Sequence, residues 1–360
     1  MIISTYVKKL SIVTASAVLS WAGIGTNPLP SKAAVIFGND GLSGGFRWDA
    51  APRTINGNER SLDGGLRYSL QGGSYQAYRD LFTWDVVPSV SEFQNAIESA
   101  FNAWTLIDPV SGLGTDLFFV ADLETEVVGT GTGGVNTAGA EIDLLAAIDG
   151  TFWNPGDSGQ RGESFFRASF GDVTLTSGTT DYSGGGAISG ADITLNNNPE
   201  AVYSLDFFQL LLTHEIGHAI GMGDVEFNIN PGVFIDDNFD GSSSETALAT
   251  LTNSWANLVD PFNPAASPLS LFDVPNADPG IDTFGVDILM ESFIPSTLIG
   301  DPNPLRNDDY GVRQFLYPFV QVAPVPEPTS TLALIVIAGL GTGSTLLNKR
   351  VSSRKEESNN

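Results

Sequence analysis

Hydrophobic side chains recur at helical spacing in three parts of this chain. In residues 89–106 they return every three or four positions, and Ser89 or Ser91 stands where a helix cap is expected. Residues 204–221 and 307–318 show the same spacing. The pattern therefore predicts three helices, each with an apolar face that packs against a core.

Shorter apolar runs predict four strands, over residues 64–70, 115–122, 140–149 and 191–198. In the last of these strands Ile193 and Leu195 lie on one face. Residues 150–190 are rich in glycine, serine and threonine, which predicts a loop. This combination of helices and strands favours the α+β fold class.

The first 33 residues have the pattern of a secretory signal. Lys8 and Lys9 precede an apolar run, and the small residues around Ala33 suit a cleavage site. A retained membrane anchor is the alternative, although the run is short for a membrane span. The following residues, 34–60, are rich in glycine and turn formers and predict an irregular leader.

The C-terminal segment, residues 321–360, carries a second targeting pattern. Pro326, Glu327 and Pro328 are followed by the apolar run 329–347 and then by a basic end. This order resembles the PEP-CTERM sorting signal of certain bacteria, and an ordinary tail anchor is the alternative. The resemblance implies that export machinery and an exosortase-like enzyme are partners of the chain. It also implies that the body reaches the cell surface or the extracellular matrix, with the apolar helix as a transient inner-membrane anchor.

The charge and the cysteine content of the chain argue against several classes of function. The chain has 42 acidic and 16 basic residues, a net charge of -26, and every lysine lies near one of its ends. A body this acidic repels phosphate backbones, so no nucleic-acid partner is expected. The chain has no cysteine, which excludes thiol catalysis and thiolate metal ligands.

Both histidines of the chain lie in one short motif, THEIGHAIGMGD, at residues 213–224. Four residues apart on a helix, His214 and His218 project from one face and can bind a single ion. Gly221 allows a left-handed turn after the helix, which brings Asp224 back as a third ligand. Two imidazoles and one carboxylate leave the fourth position of a zinc ion open, as catalytic zinc sites require.

Glu215 stands beside the first histidine of this motif. From there its carboxylate can reach a water on the ion without binding the metal itself. Zinc lowers the pKa of its water to about 7, and a nearby carboxylate can take the proton during attack on a peptide carbonyl. The motif therefore predicts a hydrolase in which Glu215 is the general base.

The extended motif resembles the signature of the metzincin metalloproteases, and its third-position aspartate is similar to that of the snapalysin-type enzymes. Residues 93–122, 191–198 and 307–318 resemble the first helix with its following strand, the edge strand and the closing helix of the matrixin branch. Residues 287–292, DILMES, resemble the Met-turn of the same family. The resemblance implies an α+β domain over residues 61–320, with a mixed twisted sheet, an active-site helix and a closing C-terminal helix.

The same resemblance implies roles for further residues. Met290 would form the apolar floor under the metal. The backbone of Ile193, Thr194 and Leu195 would pair with an extended substrate along an open sheet edge. The implied activity is that of a secreted zinc endopeptidase, with a protein or peptide as substrate.

The metal ligands depart from the matrixin pattern in one position. Asp224 stands where a third histidine is usual, so Glu226 and Asp236 remain alternative ligands. The link between the motif and the Met-turn, residues 225–287, is also far longer than the family's usual link. No histidine remains for a second, structural zinc.

Calcium is the candidate replacement for that structural ion. Asp236, Asn238 and Asp240 form the opening of an EF-hand-like loop, with Gly241 at the turn. The glutamate expected at the twelfth position is absent, since Ala247 stands there. An acidic surface loop without an ion is the alternative.

Two function classes agree with these observations. The first is an active secreted zinc endopeptidase. The second is an adhesion or structural protein of the cell surface or matrix that keeps the fold without proteolysis. Retention of Glu215 favours the enzyme, because a purely structural zinc site needs no proton carrier beside it.

Overall fold

The computed structural model describes the backbone of residues 34–36, 46–49, 54–55, 57–127, 135, 137–146, 161–170, 173–175, 178–180, 186–224, 233–235, 241–250, 287–291 and 293–317. The predicted signal segment, the C-terminal tail and most of the link 225–287 lie outside these residues. Among the described helices, none is both long and apolar enough to cross a membrane.

The helices within these ranges are α1 (Tyr75–Arg79), α2 (Val90–Ala103), α3 (Leu205–Ala219), α4 (Ser244–Thr250), α5 (Asn307–Leu316) and a short 3₁₀ helix (Ser296–Leu298). Helices α2, α3 and α5 confirm the three predicted from apolar spacing. Ser89, and not Ser91, caps α2, because its hydroxyl accepts from the Glu92 N–H while the Glu92 carboxylate accepts from the Ser89 N–H.

The described strands are β1 (Ala34–Ile36), β2 (Phe46–Arg47), β3 (Thr54–Ile55), β4 (Asn58–Glu59), β5 (Leu66–Leu70), β6 (Thr83–Trp84), β7 (Phe119–Ala121), β8 (Ile142–Ala146), β9 (Gly162–Phe170), β10 (Val173–Leu175), β11 (Gly178–Thr180), β12 (Gly186–Leu195), β13 (Val202–Tyr203) and β14 (Val233–Ile235). The main sheet has the order β2-β12-β8-β5-β7, and β9 pairs with β12. Strands β5, β7, β8 and β12 run parallel to their neighbours on this path, whereas β9 is antiparallel to β12. Helices together with this mixed sheet agree with the predicted α+β class.

Each of the four predicted strands is present, but the loop predicted over residues 150–190 is wrong in four places, two of which are the short strands β10 (Val173–Leu175) and β11 (Gly178–Thr180). Strand β9 occupies residues 162–170, and β12 already begins at Gly186. The side chains of Glu163 to Phe166 are all buried, so β9 lacks the alternation of polar and apolar positions that identifies a half-exposed strand. The glycine, serine and threonine residues on both sides of β9 are typical of a loop, so the sequence pattern predicts a loop across the strand as well.

The prediction that residues 191–198 form an edge strand is also wrong. Ile193 pairs with Leu144 of β8 on one side and with Ser164 of β9 on the other. Thr194 and Leu195 have strand neighbours on both sides as well. Because an added peptide strand needs an unpaired edge, these three residues are not a substrate-binding strand.

Helices α2 and α3 pack against each other and against the sheet in one hydrophobic core. A cluster of aromatic rings joins them to their surroundings, and it includes Trp84, Phe93, Tyr203 and Phe208. The Trp104 indole N–H at the end of α2 donates to the Thr213 carbonyl of α3 at 2.8 Å. This bond fixes the backbone of α3 immediately before His214.

The C-terminal end of α3 is tied to two distant parts of the chain. The Trp48 indole N–H donates to the Ala219 carbonyl at 3.1 Å, and the Tyr317 hydroxyl donates to the Ile220 carbonyl at 2.7 Å. Helix-terminal carbonyls without a partner in the helix are thereby satisfied. Gly221 then turns the chain with φ of 102°, and a Cβ there would lie 2.1 Å from the Phe46 carbonyl oxygen. Glycine is therefore required at this turn.

Candidate metal centre

Helix α3 buries both histidines on one face. The His214 side chain is fully buried, and its Nδ1 lies 2.8 Å from the Leu289 carbonyl oxygen. His218 Nδ1 lies 2.9 Å from the Met222 carbonyl oxygen. Because a carbonyl oxygen can only accept, each Nδ1 carries a hydrogen, and a neutral ring then has its lone pair on Nε2.

The turn at Gly221 brings Asp224 to these two nitrogens. Asp224 Oδ1 lies 3.3 Å from His214 Nε2 and 3.0 Å from His218 Nε2. One ligand atom from each of the three residues lies within 4.8 Å of the others, and all three residues are buried. The structure thus brings together the three residues that the motif predicted as ligands.

The donor set of this cluster fits a metal ion. With both Nδ1 atoms protonated, two nitrogen lone pairs and a carboxylate oxygen converge on one small space. His214 Nε2 and Asp224 Oδ1 have no hydrogen-bond partner. Buried lone pairs that face each other repel unless a cation lies between them, and one divalent ion serves all three.

The electrostatics of Asp224 agree with a ligand role. Burial alone would raise the pKa of its carboxyl group, but in the metal-free site the adjacent His218 and His214, when they carry a proton on Nε2, outweigh burial and hold the pKa well below its usual range. Asp224 is therefore ionised under ordinary conditions, as a metal-binding carboxylate must be.

Glu215 lies beside the cluster but points toward strand β9. Its side chain is fully buried, and Oε2 accepts a hydrogen bond from the Ser164 hydroxyl at 2.8 Å. Oε1 has no hydrogen-bond partner. Burial raises the pKa of Glu215 to about 7, although His214 and the Ser164 hydroxyl oppose this rise. A carboxyl group with such a pKa can both take and give a proton near neutrality.

Met290 lies under α3 between the two histidines. A Cβ on Gly217 would stand 2.4 Å from Met290 Sδ, so the thioether packs directly against the helix backbone. The neighbouring Leu289 supplies the carbonyl that accepts from His214. The turn that contains Met290 therefore both supports the helix and orients His214, one of the candidate ligands.

Helix α5 supports this turn through Asp309. One carboxylate oxygen accepts from the Leu289 N–H at 3.1 Å, and the other accepts from the Met290 N–H at 3.3 Å. The Arg306 N–H donates to the same carboxylate at 2.8 Å, which caps the helix. Burial raises the pKa of Asp309 to about 6 despite these backbone donors.

Other predicted site residues lie outside the described residues. These are the calcium candidates Asp236, Asn238 and Asp240, the alternative ligand Glu226, and the sorting motif Pro326, Glu327 and Pro328. The three substrate-strand residues lie in the interior of the sheet, as described above.

Three contributors to the site have no signal in the local sequence. Ser164 contacts Glu215 across 51 residues, and Gly162 leaves the space that the Glu215 carboxylate occupies. Asp309 was part of the closing-helix resemblance, but its contact with the turn at Leu289 is visible only in three dimensions.

A comparison with protein-family models found no match, and a comparison with curated proteins found no similar sequence. The assignment of a candidate metal centre therefore depends on the convergence of His214, His218 and Asp224 in one buried cluster.

Proposed function

We propose that the chain is a zinc-dependent endopeptidase of metzincin type. The observation that carries this proposal is the buried His214–His218–Asp224 cluster with the Glu215 carboxylate beside it. The sequence resemblance to the metzincin motif and the Met290 turn under the helix add support.

Zinc is the ion that best fits the donor set. Two imidazole nitrogens and one carboxylate oxygen are zinc ligands in catalytic sites, at bond lengths of about 2.0–2.2 Å. Donors around a tetrahedral ion of that size are separated by about 3.3 Å, and the Asp224 oxygen lies 3.3 and 3.0 Å from the two nitrogens. Bound zinc would supply an acidic water and would polarise the carbonyl of the scissile bond.

Glu215 is the proposed general base and then general acid. Its position next to His214, its burial and its raised pKa suit a group that accepts a proton from the attacking water and passes it to the departing amine. Burial also keeps bulk water from competing for the carboxylate. An adhesion protein with a structural ion would have no use for this arrangement.

The substrate-binding strand in this proposal is β9 and not β12. Among the described strands, β12 pairs with β9. Ser164 of β9 contacts Glu215, which places this strand beside the proposed reaction centre. An extended peptide bound along β9 would have its backbone near the metal cluster.

Export to the cell surface or extracellular matrix is part of the proposal and depends on the two terminal sequence patterns. A surface adhesion protein is the second candidate. Burial of a glutamate with an unpartnered oxygen beside the cluster favours the enzyme.

The test compares zinc content and casein cleavage in the full-length chain and in Glu215→Gln. We expect one zinc per chain in both proteins and a loss of cleavage of about 10²- to 10⁴-fold in the variant, since the proton carrier is removed. Glu98→Gln, on helix α2 away from the cluster, is the matched control and should cleave normally.

Two results would contradict the proposal. Equal cleavage by wild type and Glu215→Gln would exclude the role of this carboxylate. Stoichiometric zinc without cleavage by wild type would favour the adhesion protein instead.

A further inference from the structure

Strand β9 presents two residues to the Glu215 carboxylate. The Ser164 hydroxyl lies 2.8 Å from Oε2 and 2.9 Å from the backbone oxygen of Glu215, and Ser164 is only 5% exposed. Gly162 lies two residues earlier, on the same face of the strand, where a Cβ would stand 2.2 Å from Oε1. Ser164 therefore forms a hydrogen bond with Oε2, and the absence of a side chain at Gly162 leaves space for Oε1.

The two oxygens of Glu215 consequently differ in chemistry. Because the Ser164 hydroxyl donates its hydrogen to Oε2, protonation of Oε2 is disfavoured. Oε1 has no hydrogen-bond partner and can receive a proton without displacing any contact. With the proton on Oε1, Oε2 becomes the carbonyl oxygen of the acid and still accepts from Ser164.

We propose that Ser164 is a positioning residue that holds Oε2 of Glu215 and thereby makes Oε1 the atom that transfers the proton. This inference rests on the proposed endopeptidase function. During attack the O–H bond of the water breaks and its proton moves to Oε1. The same proton then moves from Oε1 to the nitrogen of the departing amine as the C–N bond breaks, and the hydroxyl hydrogen of Ser164 stays on serine throughout.

A purely structural role for Ser164 makes a different prediction. The hydroxyl also reaches the Glu215 backbone oxygen, and this contact alone would tie β9 to helix α3. If only that contact mattered, removal of the hydroxyl would lower stability and leave the turnover number unchanged. The turnover number, KM and stability therefore separate the two roles.

The kinetic test uses zinc-loaded full-length protein and a peptide substrate. In Ser164→Ala we expect kcat to fall about 10- to 100-fold, because the proton carrier loses its fixed orientation. KM and zinc content should stay at the wild-type values, since the Ser164 hydroxyl bonds Glu215 and no metal ligand, and the substitution leaves the backbone of β9 unchanged. Ser164→Thr keeps the hydroxyl and should retain most of the wild-type kcat.

Ser189→Ala is the matched control. Ser189 is equally buried on the neighbouring strand β12, and its hydroxyl donates to the Arg167 carbonyl at 3.1 Å, away from Glu215. A wild-type kcat in Ser164→Ala would overturn the inference while the endopeptidase proposal stands. Absence of cleavage by the wild-type protein would overturn both.

A second measurement does not depend on activity. In metal-free protein, the melting temperatures of Ser164→Ala, Glu215→Ala and the double variant form a cycle that isolates the contact between the hydroxyl and the carboxylate. We expect the double variant to lose less than the sum of the single losses. Additive losses would show that Ser164 contacts only the backbone oxygen and would overturn the inference.

Discussion

Gly217 lies between the two histidines of α3, and its missing side chain leaves the space that Met290 fills. A Cβ there would stand 2.4 Å from Met290 Sδ and 2.9 Å from Trp104 Cζ2. Both neighbours are buried, so neither can move into solvent. Packing against Met290 and Trp104 therefore requires glycine at the position between the two candidate ligands.

Gly217→Ala should therefore destabilise the protein, although alanine is the better helix former. Overpacking costs about 1–3 kcal/mol, against a gain of about 1 kcal/mol from helix propensity. The difference is a net loss of about 0–2 kcal/mol, so we expect the free energy of unfolding to fall by about 1 kcal/mol in urea denaturation of metal-free protein. Gly139→Ala, where the nearest atoms would lie 3.6 Å from the Cβ, should change little. A Gly217→Ala protein as stable as wild type would contradict the packing argument.

At the scale of elements, helix α5 determines the shape of the turn that carries Leu289 and Met290. Asp309 accepts both turn N–H groups, and Leu289 in turn accepts from His214. Helix α5 is therefore connected to the candidate ligand His214 through two successive hydrogen bonds.

Asp309→Asn should weaken this connection, because an amide nitrogen cannot accept a hydrogen bond. We expect a loss of about 1–3 kcal/mol in unfolding free energy, together with weaker zinc binding in competition with a chromophoric chelator. Asp301→Asn is the control, since its bond to Arg306 lies at the partly exposed surface. A wild-type zinc affinity in Asp309→Asn would show that the turn keeps its shape without the helix.

The sheet contains a buried acidic pair whose effect depends on pH. Asp192 of β12 is the register partner of Asp143 of β8, and both are about 1% exposed. Burial, with a smaller contribution from Asp143, raises the pKa of Asp192 to about 8. A raised carboxyl pKa stabilises the folded protein fully below the unfolded value near 4, and this stabilisation is lost as the pH rises toward 8.

Asp192→Asn should remove this pH dependence, because asparagine resembles the protonated acid at every pH. Between about pH 4 and 8 the wild type should lose up to about 1.4 kcal/mol of stability per pH unit relative to the variant. Urea denaturation across this pH range measures the difference. Parallel stability curves for the two proteins would show that Asp192 is not protonated in the folded state.

The sequence predicted those elements whose signal is local. The apolar stripe of α3 and the four-residue spacing of His214 and His218 are properties of one helix, and the structure has both. The position of β12 within the sheet depends on β9, which lies in a segment that the local pattern assigned to a loop. Strand neighbours and the Ser164 contact join residues far apart in the chain, so no local spacing could predict them.

At the scale of the whole molecule, a bound metal should contribute to folding stability. The three candidate ligands come from one helix and the turn after it, so an unfolded chain does not hold them in this geometry. Zinc at a hundred times its dissociation constant should add about 2.7 kcal/mol and raise the melting temperature by about 5–10 °C. Chelation should reverse the change, as measured by calorimetry.

The double variant His214→Ala/His218→Ala is the control for this experiment. It should melt at the same temperature with and without zinc. An equal response of wild type and double variant would place the bound zinc at other carboxylates of this acidic chain.

The ties between Phe46–Asp49 and the C-terminal end of α3 have a consequence for biosynthesis. Trp48 leaves the ribosome early, but its partners Ala219 and Tyr317 follow 171 and 269 residues later. The C-terminal end of helix α3 therefore has both of these contacts only after Tyr317 has been synthesised. Under the proposed function, we expect a nascent chain that ends before Tyr317 to cleave proteins poorly, because the end of the helix that carries His214 and His218 lacks this contact.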